Sequence, residues 1–209
     1  MNKNLIRFVL FCVVQAKSFS LPAEVKINIS PASFDKALSA FELTPENAQN
    51  KLVYFLDTPE RDLAKKGVYL RIRTDLYSHK GSAVLKYRSQ QGGSQCEYDA
   101  SSTKKFLACS VKNEFKGDFS KHTESPQNAF ENLFDQNQIE YVEKRVSFNK
   151  KNLEWVGPIQ SFRWTQSGFD FETWVLPGYK SKLFLEISKR VDDDKLIEQT
   201  RSEIRNYLA

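Results

Sequence analysis

Histidine is nearly absent: His79 and His122 are the only two in 209 residues. A structural zinc site needs four nitrogen or sulfur ligands in a cluster, and neither these histidines nor the three cysteines are spaced to supply one. Long apolar runs are also missing, since none reaches the roughly 18 residues that cross a bilayer. There is no low-complexity linker and no short-period repeat. A 40% hydrophobic and 13% aromatic composition then describes one folded domain with a sizeable core.

The N-terminus differs in kind from the rest. Lys3 and Arg7 precede the apolar run Phe8 to Val14, and Ser18-Phe19-Ser20 follows with small residues at cleavage-site spacing. This is the pattern of a secretory signal peptide over residues 1–20, cut after Ser20 or alternatively after Ala16, leaving a domain of 21–209. The expectation is a secreted or periplasmic protein with no membrane attachment after cleavage. Cys12 follows Phe11 with no small residue before it, so it does not read as a lipid-modified cysteine. Of the 31 Lys and Arg residues, Lys3, Arg7 and Lys17 lie in this segment with no acid, which leaves 28 against 26 acidic residues and a net charge of about +2. The high pI therefore belongs largely to the targeting segment, and no nucleic-acid partner is expected. Cys96 and Cys109 remain, an even count for an oxidising compartment. A disulfide between them is the expectation, two buried thiols the alternative.

Charge is patterned along the strands. In Gly67-Val68-Tyr69-Leu70-Arg71-Ile72-Arg73, Arg71 and Arg73 share one face while Val68, Leu70 and Ile72 share the other. Similar alternation places Lys86 and Arg88 together, Glu97 with Asp99, and Glu186 opposite Leu185 and Ile187. Basic strand faces beside acidic ones suit a barrel whose lumen holds a polyanion and its metal ion. Strands are expected near 52–56, 68–75, 83–89, 95–100, 106–112, 141–148, 153–156, 159–165, 169–174 and 182–190, with turns at Gly81 and Gly92-Gly93. Ser30-Pro31 and Ser125-Pro126 read as helix starts, and Asp192-Asp193-Asp194 as the acidic start of a last helix rather than a metal site. Trp155, Trp164 and Trp174 are expected to pack rather than to stack on a ligand.

Tyr54-Phe55-Leu56-Asp57-Thr58-Pro59, Leu63 and the Gly67 to Arg73 strand resemble, in order and spacing, the aromatic strand, D-T-P turn and L-R-I-R strand of the CYTH-like superfamily. These are the triphosphate tunnel metalloenzymes, which include class IV adenylyl cyclases, thiamine triphosphatases and inorganic triphosphatases. Ala83-Val84-Leu85-Lys86 is similar to the lysine strand, Cys96-Glu97-Tyr98-Asp99 to the E-x-E strand, Glu143-Lys144-Arg145 to the K-R strand, and Leu185-Glu186-Ile187 to the terminal L-E-I-E-L strand. The resemblance implies an α+β fold: a closed antiparallel eight-stranded tunnel barrel with helices packed outside. It implies phosphate binding by Lys26, Arg71, Arg73, Lys86, Arg88, Lys144 and Arg145. Metal ligands would be Glu24, Glu97, Asp99 and Glu186, holding Mg2+ or Mn2+.

The departures fall on the acidic side. Where the family's E-x-E-x-K strand is expected, Glu24-Val25-Lys26-Ile27-Asn28 puts Lys26 in the seat of the second glutamate, and a lysine there repels a divalent ion. Ser188 replaces a second acid after Glu186, and Gln95 stands where an arginine is common. The resulting expectation is a non-catalytic module that binds phosphate or polyphosphate, with any metal held weakly. The alternative is a metal-dependent triphosphate or polyphosphate phosphohydrolase.

Overall fold

Strand periodicity closes on itself in three dimensions. The computed structural model describes residues 20–76, 80–90, 95–116, 119–175 and 182–209. The signal-peptide segment before residue 20, His79 and the Gly92-Gly93 turn lie outside these residues.

Nine strands form one closed barrel: β1 (Ala23–Ile29), β2 (Gln49–Asp57), β3 (Val68–Asp75), β4 (Gly81–Arg88), β5 (Cys96–Ala100), β6 (Lys105–Phe115), β7 (Glu154–Gln166), β8 (Phe169–Val175) and β9 (Lys182–Val191). Their order around the barrel is β1-β5-β6-β4-β3-β2-β7-β8-β9, and β9 pairs back onto β1. The expected count of eight and the purely antiparallel arrangement are both corrected. β1 runs parallel to β5, with Ala23 opposite Tyr98 and Val25 opposite Ala100. A short β5, hairpinned to β6, fills the gap between β6 and β1 that an eight-stranded closure would leave no room for.

Three of the expected strands differ in the structure. The stretch read as a strand over 141–148 belongs mostly to a helix, α4 (Gln136–Arg145). Asp135 and Gln138 form a capping box at its start, and Ile139, Val142 and Val146 recur at helical spacing, so the 3.6-residue period overrides the short alternation after Lys144. The stretches 153–156 and 159–165 are one strand, β7, carried through the cis Gly157–Pro158 bond.

The remaining helices are α1 (Phe34–Ala40), α2 (Asp62–Lys65), α3 (Pro126–Leu133) and α5 (Ile197–Leu208). Ser125 caps α3 by accepting from the Asn128 amide at 3.2 Å, whereas the Ser30 side chain makes no capping bond and a 3-10 turn over Pro31–Ser33 leads into α1 instead. Asp193 accepts from the Lys195 amide at 2.8 Å, which is the helix-start role expected of the acidic triplet. Among the described residues no helix is long and apolar enough to cross a membrane.

The apolar core lies outside the barrel wall. Leu56, Leu70, Ile72 and Leu85 point outward and pack under α3 and α4 with Phe130, Leu133 and Val142. On the opposite flank Val25, Trp164, Phe171 and Ile187 meet Ile197 and Ile204 of α5. Period-two alternation then sends the polar partners of these residues into the lumen. Gln138 is buried in α4 and donates to the Val111 carbonyl at 2.7 Å, pinning the helix layer to the barrel wall. Cys96 and Cys109 lie directly opposite each other on β5 and β6 and are joined by a disulfide with a Cα separation of 3.9 Å. Closing a loop of this length is worth about 3 kcal/mol from chain entropy.

Candidate functional site

Seven of the nine strands turn charge into the lumen. β3 supplies Arg71 and Arg73, β4 Lys86, β1 Glu24 and Lys26, β5 Glu97 and Asp99, and β9 Glu186, Ser188 and Arg190. β7 adds Arg163, and β8 adds Asp170 and Glu172. A chamber of about 100 Å³ is lined by Glu24, Lys26, Arg71, Arg73, Lys86, Glu97, Ser110, Arg163, Asp170, Glu172, Ser188 and Arg190. At one mouth a wider cavity of about 340 Å³ is lined by Lys51, Lys80, Lys112 and Lys116 with Asp75 and Glu114. Arg73 lines both.

The sequence-derived set is only partly brought together. Lys26, Arg71, Arg73, Lys86 and Glu24, Glu97, Asp99 and Glu186 project from neighbouring strands into one lumen. Arg145 does not: it ends α4 outside the barrel, bonds the Tyr141 hydroxyl and lies over the Tyr87 ring at 5.7 Å. Lys144 is exposed beside it and pairs with Glu140 at 3.3 Å. Both were placed on a strand that is in fact helix, where a basic last turn suits the helix dipole. Arg88 is exposed at the rim, with its guanidinium 4.7 Å from the Phe106 ring centre.

Arg163, Glu172, Asp170 and Arg190 were not singled out in the sequence. Their signal was present as alternation: Ser161, Arg163 and Thr165 against Phe162 and Trp164, and Asp170, Glu172 and Trp174 against Phe169, Phe171 and Thr173. Trp164 packs in the core and donates to the Thr44 carbonyl at 2.8 Å, and Trp155 donates to the Thr123 carbonyl at 2.8 Å. Trp174 instead faces the lumen and donates to Glu172 at 2.8 Å.

Most of the lumen charge is internally paired. Arg73 bonds Glu172 at 3.1 Å, and Ser161 donates to the same carboxylate oxygen at 2.7 Å. Arg163 bonds Asp170 at 2.6 Å, Lys86 bonds Asp99 at 2.9 Å, and Arg190 bonds Glu97 at 3.2 Å. Lys26 Nζ sits 3.0 Å from Glu24 and 3.8 Å from both Asp99 and Glu186. Arg71 stands apart. Among the described residues it has no carboxylate partner, and its Nε, like that of Arg73, is buried without an acceptor.

The titration of these groups follows from that geometry. Burial, with repulsion from Arg73, pushes Arg71 down to about 10, which still leaves it charged at neutral pH. Burial works against the charge of Lys26, but Glu24, Glu186 and Asp99 outweigh it and hold the ammonium above its ordinary value. Burial also opposes ionisation of Glu24 and Glu172, and in each the adjacent cations win and lower the pKa. Glu186 goes the other way. Burial, reinforced by the Glu24, Glu172 and Asp99 carboxylates against the single pull of Lys26, raises it to about 7.

A closed barrel with this lumen defines the class of charged-tunnel proteins. The chain belongs to the CYTH family, whose domain matches residues 22–206. A Bacillus halodurans protein described as a candidate adenylate cyclase shares the fold at a TM-score of 0.60 and 15% identity, covering 90% of this chain and 89% of that one. A Hippeastrum candidate adenylyl cyclase, described as having a dominant triphosphatase activity, matches at a TM-score of 0.56 and 16% identity, covering 91% and 86%. No curated protein matches the sequence.

The family implies a divalent cation, and the acids that would hold it are already engaged by cations of the wall. Glu24, Asp99 and Glu186 surround the Lys26 ammonium, and Glu97 is engaged by Arg190. With the side chains as they stand, Lys26 lying between these acids, no group of three His, Cys, Asp or Glu among the described residues is arranged to hold a metal ion. The donor set does not fit a divalent cation.

Proposed function

We propose that the tunnel binds a phosphate-containing anion, inorganic phosphate or a short polyphosphate, with little or no hydrolysis. The observation that carries this reading is Arg71: a charged guanidinium in the chamber with no carboxylate partner and an orphaned buried Nε. An unmade bond at a buried donor costs on the order of 1–3 kcal/mol, and an oxyanion in the chamber supplies the missing acceptor in charge-assisted form. The chamber has the volume of about three waters, room for one tetrahedral oxyanion. Further phosphoryl groups would extend past Arg73 into the lysine-lined mouth.

Calorimetry in EDTA at low ionic strength tests the reading. Sulfate, phosphate and tripolyphosphate should each bind, and binding should weaken as salt is raised. The competing reading is a metal-dependent triphosphatase, favoured by family membership. Rapid Mg2+-dependent turnover of tripolyphosphate would establish it in place of ours.

The same reading fixes the sign of a pH effect. Sulfate keeps its charge across the neutral range, so any pH dependence belongs to the protein. Below pH 7 Glu186 is protonated and the lumen is one negative charge poorer; above it the carboxylate repels the ligand. Sulfate affinity should therefore fall as pH rises from 6 to 8, by about fivefold if the ligand shifts the carboxyl by one unit. Glu186→Gln should flatten the profile; an unchanged slope in that variant would remove Glu186 from the account.

Export is part of the proposal. The Lys3-to-Ser20 pattern and the Cys96–Cys109 disulfide both suit an oxidising compartment. Mass measurement of the protein recovered from its native cell should show residues 1–20 removed, and an intact cytoplasmic chain would refute this.

A further inference from the structure

We infer that Lys26 is a tethered counter-cation: its ammonium takes the place in the tunnel that a divalent ion would occupy, so the cation of this site is part of the polypeptide. Three carboxylates on three different strands, Glu24 of β1, Asp99 of β5 and Glu186 of β9, surround the one nitrogen at 3.0, 3.8 and 3.8 Å. The ammonium is within hydrogen-bond distance of Glu24 alone and meets Asp99 and Glu186 as longer ion pairs, so the shell acts on it through charge. Three acids thus converge on one place in the lumen. Without a cation between them they would repel both one another and the ligand.

The far side of the shell is also occupied. Lys86 holds the second oxygen of Asp99 at 2.9 Å, leaving that carboxylate no oxygen facing away from an ammonium. A divalent ion entering between Glu24, Asp99 and Glu186 would have to expel Lys26 first, because two cations cannot share a space a few ångströms across. The consequence deepens the anion-binding reading, on which it rests: a covalently attached cation is present at any metal concentration, so the tunnel admits its ligand without a metal cofactor.

Mn2+ alone, with no anion present, tests the inference by electron paramagnetic resonance and calorimetry on the full chain. Wild type should show no saturable Mn2+ binding in the millimolar range. Lys26→Gln, which removes the charge and leaves the three acids, should bind Mn2+ at least roughly 100-fold more tightly. Adding Glu24→Gln to that variant should abolish the gain. Wild type binding Mn2+ as tightly as Lys26→Gln would overturn the inference, as would a folded Lys26→Gln that binds none. Should Lys26→Gln unfold through carboxylate repulsion, restoration of its circular dichroism by millimolar Mn2+ supports the inference, and failure to restore it counts against it. Sulfate titration of wild type in EDTA is a separate arm. Its failure would remove the anion reading while leaving the Mn2+ result to judge Lys26 alone.

Discussion

Arg71→Ala combined with Arg73→Ala should abolish sulfate and tripolyphosphate binding. The two guanidinium groups share one face of β3, two residues apart, and among the described residues Arg73 alone of the two has a carboxylate partner, Glu172 at 3.1 Å. Hydrogen bonds to charged groups contribute about 1.5–3 kcal/mol each, so losing two such contacts weakens binding by roughly 100-fold or more. The effect is compounded by the residues left behind. Lys26, Lys86, Arg163 and Arg190 would face Glu24, Glu97, Asp99, Asp170, Glu172 and Glu186, turning a balanced lumen into an acidic one that repels anions. Arg71→Lys separates charge from shape. It keeps the cation but loses the planar fork, and should retain part of the affinity. Arg71→Ala alone breaks no ion pair, so its thermal unfolding should stay close to wild type while binding drops. A folded double variant that binds sulfate with unchanged affinity would move the ligand site out of this lumen.

The parts of the site that could be read from the sequence are those set by local alternation. Arg71 and Arg73 follow from the period of a single strand, as do Lys86, Glu97 with Asp99, and Glu186. Lys26 was placed by the resemblance of Glu24 to Asn28 to the family's E-x-E-x-K strand. What defeated the reading at 144–148 was competition between two periods over a few residues. Lys144-Arg145-Val146-Ser147-Phe148 alternates, yet the Asp135 and Gln138 capping box had already started a helix ten residues long. Arg163 and Glu172 were missed for a different reason. Their strands were located, but facing the lumen is a property of the closed barrel, and each carries its countercharge on another strand: Asp170 on the adjacent β8 for Arg163, and Arg73 on β3, three strands round the barrel, for Glu172. The parallel pairing of β1 with β5 brings together residues about 75 positions apart, Glu24 and Asp99 among them, and no local pattern encodes such a register.

A barrel filled with charge gains little from its own interior, so its stability has to come from the helices pressed on its outer wall. Phe130 of α3 is fully buried there, 5.8 Å from the Phe134 ring and 6.1 Å from Phe148, within the cluster that covers Leu56, Leu70 and Ile72. Phe130→Ala should cost about 3–5 kcal/mol, from lost apolar burial plus the cavity left under the helix. Against a total of about 5–15 kcal/mol for a domain, that is about a fifth of the stability or more, and urea unfolding should show it as a large fall in midpoint with little change in slope. The outward side chains of β3 alternate with Arg71 and Arg73, which face the other way, and the strand between them is held by its ladder to β2 and β4. Phe130→Ala should therefore lower stability while the fraction that remains folded binds sulfate as wild type does. Loss of sulfate affinity in parallel with stability would mean that the helix layer shapes the lumen directly, and that the wall does not separate the two faces.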